Sequence, residues 1–148
     1  MRQFKFKLQA LLRMREFKED RVKVEMGKIV QNMNQIREQI AKINHYIDEG
    51  HEAYAHKSED KDGARYFKFI GEFIHFQRAA LKQKEKEMRE WQAKYDTKIQ
   101  ELEVAMGEVK VIENIKEKRF GNYRKELNKK MEEDVQEVAI MRSGEQKD

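Results

Sequence analysis

The sequence predicts an all-α protein: a long antiparallel two-helix coiled-coil hairpin whose C-terminal helix is the longer. Three observations carry this expectation. Charged residues make up 41% of the chain and proline is absent, and mean hydropathy is −1.03, so apolar material is too scarce for a globule of this length. From Val22 to Ile47 apolar residues recur at alternating steps of four and three, the heptad seam that faces one partner helix. A second run of the same kind begins beyond a segment, "HKSEDKDGAR", that has no apolar stripe but has the Ser, Asp and Gly of a turn.

Helix one is expected over about residues 5–57. Its seam is Val22, Met26, Ile29, Met33, Ile36, Ile40, Ile43 and Ile47, followed by Gly50 and Tyr54. Carried toward the N-terminus, the same register passes through Glu19, Arg15, Leu12 and Leu8, so charge enters the seam there and weakens it. The turn is expected over about 58–63. Helix two, about 64–141, places Phe69, Phe73 and Phe76 on one face, then Ala80, Met88, Trp91, Tyr95, Ile99, Leu102, Met106, Val109 and Ile112. The double four-residue step from Trp91 through Tyr95 to Ile99 locally relaxes a supercoil. Residues 142–148 read as a frayed tail, and the whole of 1–148 as a single elongated domain.

A short connection forces the second helix back along the first. With the reversal near residue 60, helix one is matched by the stretch ending near Lys116. Beyond it, Tyr123, Leu127, Met131, Val135, Val138 and Met141 continue an apolar stripe with no partner in the chain, the kind of surface that another molecule covers. Residues 1–30 hold nine Lys or Arg against four acids, and residues 116–130 hold seven against two. The antiparallel arrangement therefore gathers positive charge at one end.

These features also exclude function classes. Cysteine is absent, which argues against a disulfide scaffold or thiolate chemistry and suits a reducing cytoplasm. No window is apolar enough to span a bilayer. Lys7, Gln9, Arg13 and Arg15 interrupt any signal-peptide core, and acids follow too soon for a transit peptide. His45, His51, His56 and His75 form no metal-binding pair, the glycines form no phosphate loop, and a two-helix hairpin encloses no pocket. A non-enzymatic protein without cofactor or metal is expected. Nucleic acid is not expected as a partner, since neither a stacking platform nor a basic fork is present. Tyr66, Phe67, Phe69, Ile70, Phe73, Ile74 and Phe76 are too many apolar groups for one seam, so some are expected outside it, as a cap on the hairpin or as a docking site.

In order and spacing, "FKFKLQALLRMRE", "ARYFKFIGEFIHFQRAA", "EWQAKYD" and "KKMEEDVQEVAIMRS" resemble the FliJ family of flagellar type III export proteins over essentially the whole chain. The resemblance implies a central-stalk-like coiled coil that enters the pore of the hexameric export ATPase and promotes its activity. It also implies contacts with the export gate membrane protein and with export chaperones, and a cytoplasmic location peripheral to the cell membrane through these partners. On that likeness, ATPase binding falls to Leu8, Leu11, Leu12, Arg15, Met131, Val135, Val138 and Met141. Gate binding falls to Phe73, with Phe69 or Phe76 compensating for Gln77, which stands where the family has an aliphatic residue. Changing Leu12 or Val135 to Asp is then expected to abolish ATPase stimulation with helix content intact. The alternatives are a generic coiled-coil adaptor, a membrane-surface anchor with a basic N-terminus, or the equivalent stalk protein of a non-flagellar injectisome.

Overall fold

A computed structural model describes residues 3–56 and 63–145. It contains two helices, α1 (Gln9–His56) and α2 (Gly63–Glu145), of 48 and 83 residues. They pack against each other, and the second is the longer. The turn expected over 58–63 lies outside the described residues except for Gly63, which opens α2 and is buried. Helix α2 runs through Arg142 to Glu145, so this part of the expected tail continues the helix; residues 146–148 lie outside the described set. Helix α1 starts later than expected. Residues 3–6 are non-helical and Lys7 and Leu8 form a turn, closed by the Gln9 N–H donating to the Phe6 carbonyl at 3.1 Å.

Contacts divide the chain into two units, Arg21–Leu102 and Met1–Asp20 with Glu103–Asp148. Within the first, the α1 partner falls in number as the α2 partner rises: Tyr54 meets Phe67, Tyr46 meets Phe73, and Glu25 meets Lys98. That is antiparallel pairing. Val22, Ile29, Met33, Ile36 and Ile43 are buried and Met26, Ile40 and Ile47 half-buried, so all eight positions of the expected seam face inward. Burying such aliphatic side chains is the main stabilising term, about 1.5–3 kcal/mol for each one fully removed from water.

The α2 side of this unit differs from the expectation. Ile70 and Ile74 are buried and Phe73 is half-buried, while Phe69 and Phe76 are 65% and 69% exposed. The reason lies across the seam at Gly50, which is buried. A Cβ built there would stand 2.9 Å from Ile74 Cγ1 and 3.7 Å from Phe73 Cδ1, so the α1 backbone approaches α2 closely and a narrow isoleucine fills the position. Gly50→Ala should overpack this contact by about 1–3 kcal/mol, offset by about 1 kcal/mol of helix propensity, for a net loss of up to about 2 kcal/mol seen as a lower urea midpoint with unchanged slope. Gly107→Ala is the control, since its Cβ would meet nothing within 4 Å and the gain in helix propensity is about 1 kcal/mol.

Further along α2, Lys84 and Glu87 are half-buried and ion-paired at 3.2 Å. They fill the apolar gap between Ala80 and Met88. Lys98 bridges the helices, donating to Glu25 on α1 and, at 2.8 Å, to Glu101 on its own helix. The hydrogen bond and charge of Lys98 hold the Glu25 carboxyl below the ordinary range. Hydrogen bonds to Glu101 and then Glu25 raise the Lys98 ammonium.

In the other unit Leu12 packs with Val109 and Ile112 in a buried cluster, flanked by Phe6, Leu8, Leu11 and Ile115. Ala105, 1% exposed, takes the seam position expected for Met106, which is 48% exposed. Both choices keep heptad spacing. The smaller side chain is the one that the close-packed interior accepts.

Candidate protein-docking surfaces

The opening "FKFK" alternates with period two, so an extended arm sends Phe4 and Phe6 to one side and Lys5 and Lys7 to the other. Both lysines are exposed and both phenylalanines half-buried. Phe4 lies edge-on to Phe120 with ring centroids 5.3 Å apart and reaches Tyr123 at 5.6 Å. Phe6 carries Lys116 and Arg119 over its ring, each at 5.8 Å, a cation–π arrangement that tolerates basic charge beside an apolar contact. Lys116 also donates to the Gln9 side-chain oxygen at 2.9 Å. About two turns further, Arg15 donates to the Glu108 carbonyl at 3.0 Å and Lys18 pairs with the Glu108 carboxylate at 3.6 Å.

The eight residues assigned to ATPase binding therefore fall into two environments. Leu12 is 4% exposed, and Leu8, Leu11 and Arg15 are half-buried against α2. Met131, Val135, Val138 and Met141 are open to solvent, with Val135 and Met141 both 68% exposed. Every residue of 128–145 is exposed. Leu12→Asp therefore disturbs packing between α1 and α2 as well as any external contact, because the carboxylate would enter the cluster with Val109 and Ile112. Ile140 also stands in water beside the stripe. It breaks the three–four spacing, which is why periodicity passes over it.

The gate-binding candidates separate in the same way. Phe73 packs edge-on against Tyr46, with centroids 6.5 Å apart. Phe69 and Phe76, seven residues apart on α2, share one exposed face. Met14 and Phe17 on α1, both 70% exposed, form a further exposed group that the seam pattern does not reveal. Their three-residue spacing is itself helical, and it is masked by the stronger seam through Leu8, Leu12 and Arg15.

The histidines lie at the surface among charges. His51 Nε2 is 3.5 Å from Arg78 and His45 pairs with Glu49 at 2.9 Å. Among the described residues, no group of three His, Cys, Asp or Glu is placed to hold a metal ion, and no helix is long and apolar enough to cross a membrane. The surfaces available are apolar side chains on helices, fitted to docking against protein.

No curated protein and no solved structure gives a significant match to this chain. The family model for the flagellar FliJ protein matches residues 4–148. That span takes in the aromatic arm, both helices and the solvent-exposed stripe, so the chain belongs to the FliJ family, components of flagellar type III protein export.

Proposed function

We propose that the protein is a non-enzymatic stalk of the flagellar export apparatus, inserting its basic, apolar end into the hexameric export ATPase and stimulating it. The observation that carries this reading is the stripe Met131, Val135, Val138 and Met141, exposed on α2 and continuous with the basic segment 116–130. Such a stripe gains roughly 25 cal/mol per Å² of apolar surface when a ring of subunits closes around it. Leu8, Leu11, Leu12 and Arg15 hold the arm and α1 against α2, and so present the stripe on an ordered support. The test is ATP turnover by the cognate hexameric ATPase with and without the purified chain. A rise that saturates with added chain supports the stalk; unchanged turnover overturns it. Sedimentation with anionic vesicles measures the competing anchor reading, and little is expected because Phe4 and Phe6 are packed on α2.

Phe69 and Phe76, with Phe73 behind them, supply a second docking face for the export gate membrane protein, and unloaded export chaperones complete the set of partners. Phe69→Ala combined with Phe76→Ala should reduce gate binding at least tenfold, the loss of about 1.4 kcal/mol. Thermal stability should barely change, since both rings are exposed. Pull-down of the gate's soluble domain alongside a melting curve reads both outcomes.

A further inference from the structure

The exposed end of α2 has its charge divided along its length. Residues 124–130, "RKELNKK", carry four bases and one acid, while residues 131–137, "MEEDVQE", carry four acids and no base. The ion pairs formed among the described residues engage none of these side chains. The apolar stripe runs through both halves. From Tyr123 through Leu127 and Met131 to Val135 it advances by successive four-residue steps, each turning it about 40° around the helix. The three-residue steps to Val138 and Met141 each turn it back about 60°, so Met141 returns to the face of Tyr123, where Phe4 packs, and the stripe beyond the arm's contacts runs from Leu127 to Met141.

We propose that this surface pairs with a second copy of the chain, α2 against α2, antiparallel and centred near Glu132. At this register the basic segment 124–130 of each copy lies along 134–140 of the other, which carries Asp134 and Glu137 and no base. A parallel pair would set bases on bases and acids on acids. With the centre at Glu132, Lys130 faces Asp134, Leu127 stands beside Val138, and Met141 meets the edge of the Phe4–Tyr123 contact, each contact occurring twice by the twofold symmetry of a homodimer. About five apolar side chains from each copy come together, roughly 1,000 Å² in all, the lower bound for a specific interface. The dimer is therefore reversible and weakened by salt. It covers Met131, Val135 and Val138, so self-pairing and the proposed ATPase contact exclude one another.

Sedimentation equilibrium of the full chain over a concentration series tests the pairing without any ATPase, so its outcome is independent of stimulation. A monomer–dimer equilibrium is expected, weakened at least tenfold by Val138→Asp with helicity unchanged. Lys130→Asp alone and Asp134→Lys alone should each weaken association, and the two together should restore it, because each partner then exchanges sign. The absence of cysteine allows single spin labels. Labels at Gly144→Cys should lie roughly 36 Å apart along the helix axis and those at Glu133→Cys within about one turn, at 1.5 Å per residue from the centre. A chain that stays monomeric, a single charge reversal that strengthens association, or equal label separations at the two sites would each overturn the proposal.

Discussion

Val135→Asp should abolish stimulation of the export ATPase while the melting curve of the chain stays where it was. The side chain is 68% exposed on a stretch of α2 in which every residue faces water. Removing it deletes no intramolecular contact of consequence. Surface changes of this kind usually fall within about 0.5 kcal/mol, and Val and Asp have similar helix propensities. In a ring of subunits that closes on the apolar stripe the same carboxylate would be desolvated where an apolar side chain had fitted, and it would join Glu132, Glu133, Asp134 and Glu137 in an already acidic segment. The cost of an unpaired buried charge is several kcal/mol, and each 1.4 kcal/mol is about tenfold in affinity. The measurement is ATP turnover against added chain, wild type beside variant, with circular dichroism of each. Undiminished stimulation would remove the stripe from the contact. Lost stimulation with a lowered melting point would trace the effect to folding.

How far the sequence spoke for the structure depends on how many apolar faces each stretch offers. From Val22 to Ile47 the apolar residues off the seam, Val24, Val30, Ala41 and Tyr46, are too sparse to make a second one, so the alternating steps admit a single phase, and all eight positions turn inward. From Tyr66 to Phe76 seven apolar groups surround the helix, and periodicity has no unique phase. The choice is made across the seam, where Gly50 admits Ile74 and leaves Phe69 and Phe76 outside. Ala105 and Met106 pose the same ambiguity in miniature, two adjacent apolar residues separated only by volume. The N-terminal arm follows a different rule. Its alternation of Phe and Lys has period two, an extended pattern, and reading it as the first turn of a helix set the start of α1 four residues early. At the docking surfaces, exposure of the C-terminal stripe follows from the unequal helix lengths and was readable. The burial of Leu12 was readable from its place in the seam; its assignment to an external contact came from family likeness, which assigns roles without weighing accessibility.

Leu12→Asp should act by a different route from Val135→Asp, although both are expected to end stimulation. Leu12 is 4% exposed and packs with Val109 and Ile112, while Phe6, Leu8, Leu11 and Ile115 lean on that cluster. Truncating a buried leucine to alanine costs about 2–5 kcal/mol, and a carboxylate in its place adds the penalty of a polar group without a partner. The expected loss is roughly 4 kcal/mol or more, a large share of the 5–15 kcal/mol that holds a typical domain together. The arm and the first turns of α1 would then separate from α2, releasing the Phe4 contact with Phe120 and Tyr123 and the Arg15 bond to the Glu108 carbonyl. Amide exchange should rise over residues 4–20 and 105–123, and the melting point should fall. Leu12→Met keeps the volume and should cost less than about 1.5 kcal/mol, retaining stimulation. If Leu12→Asp silenced stimulation with exchange and melting unchanged, Leu12 would instead be a direct contact, and the cluster with Val109 and Ile112 would have to open before the ATPase could close around it.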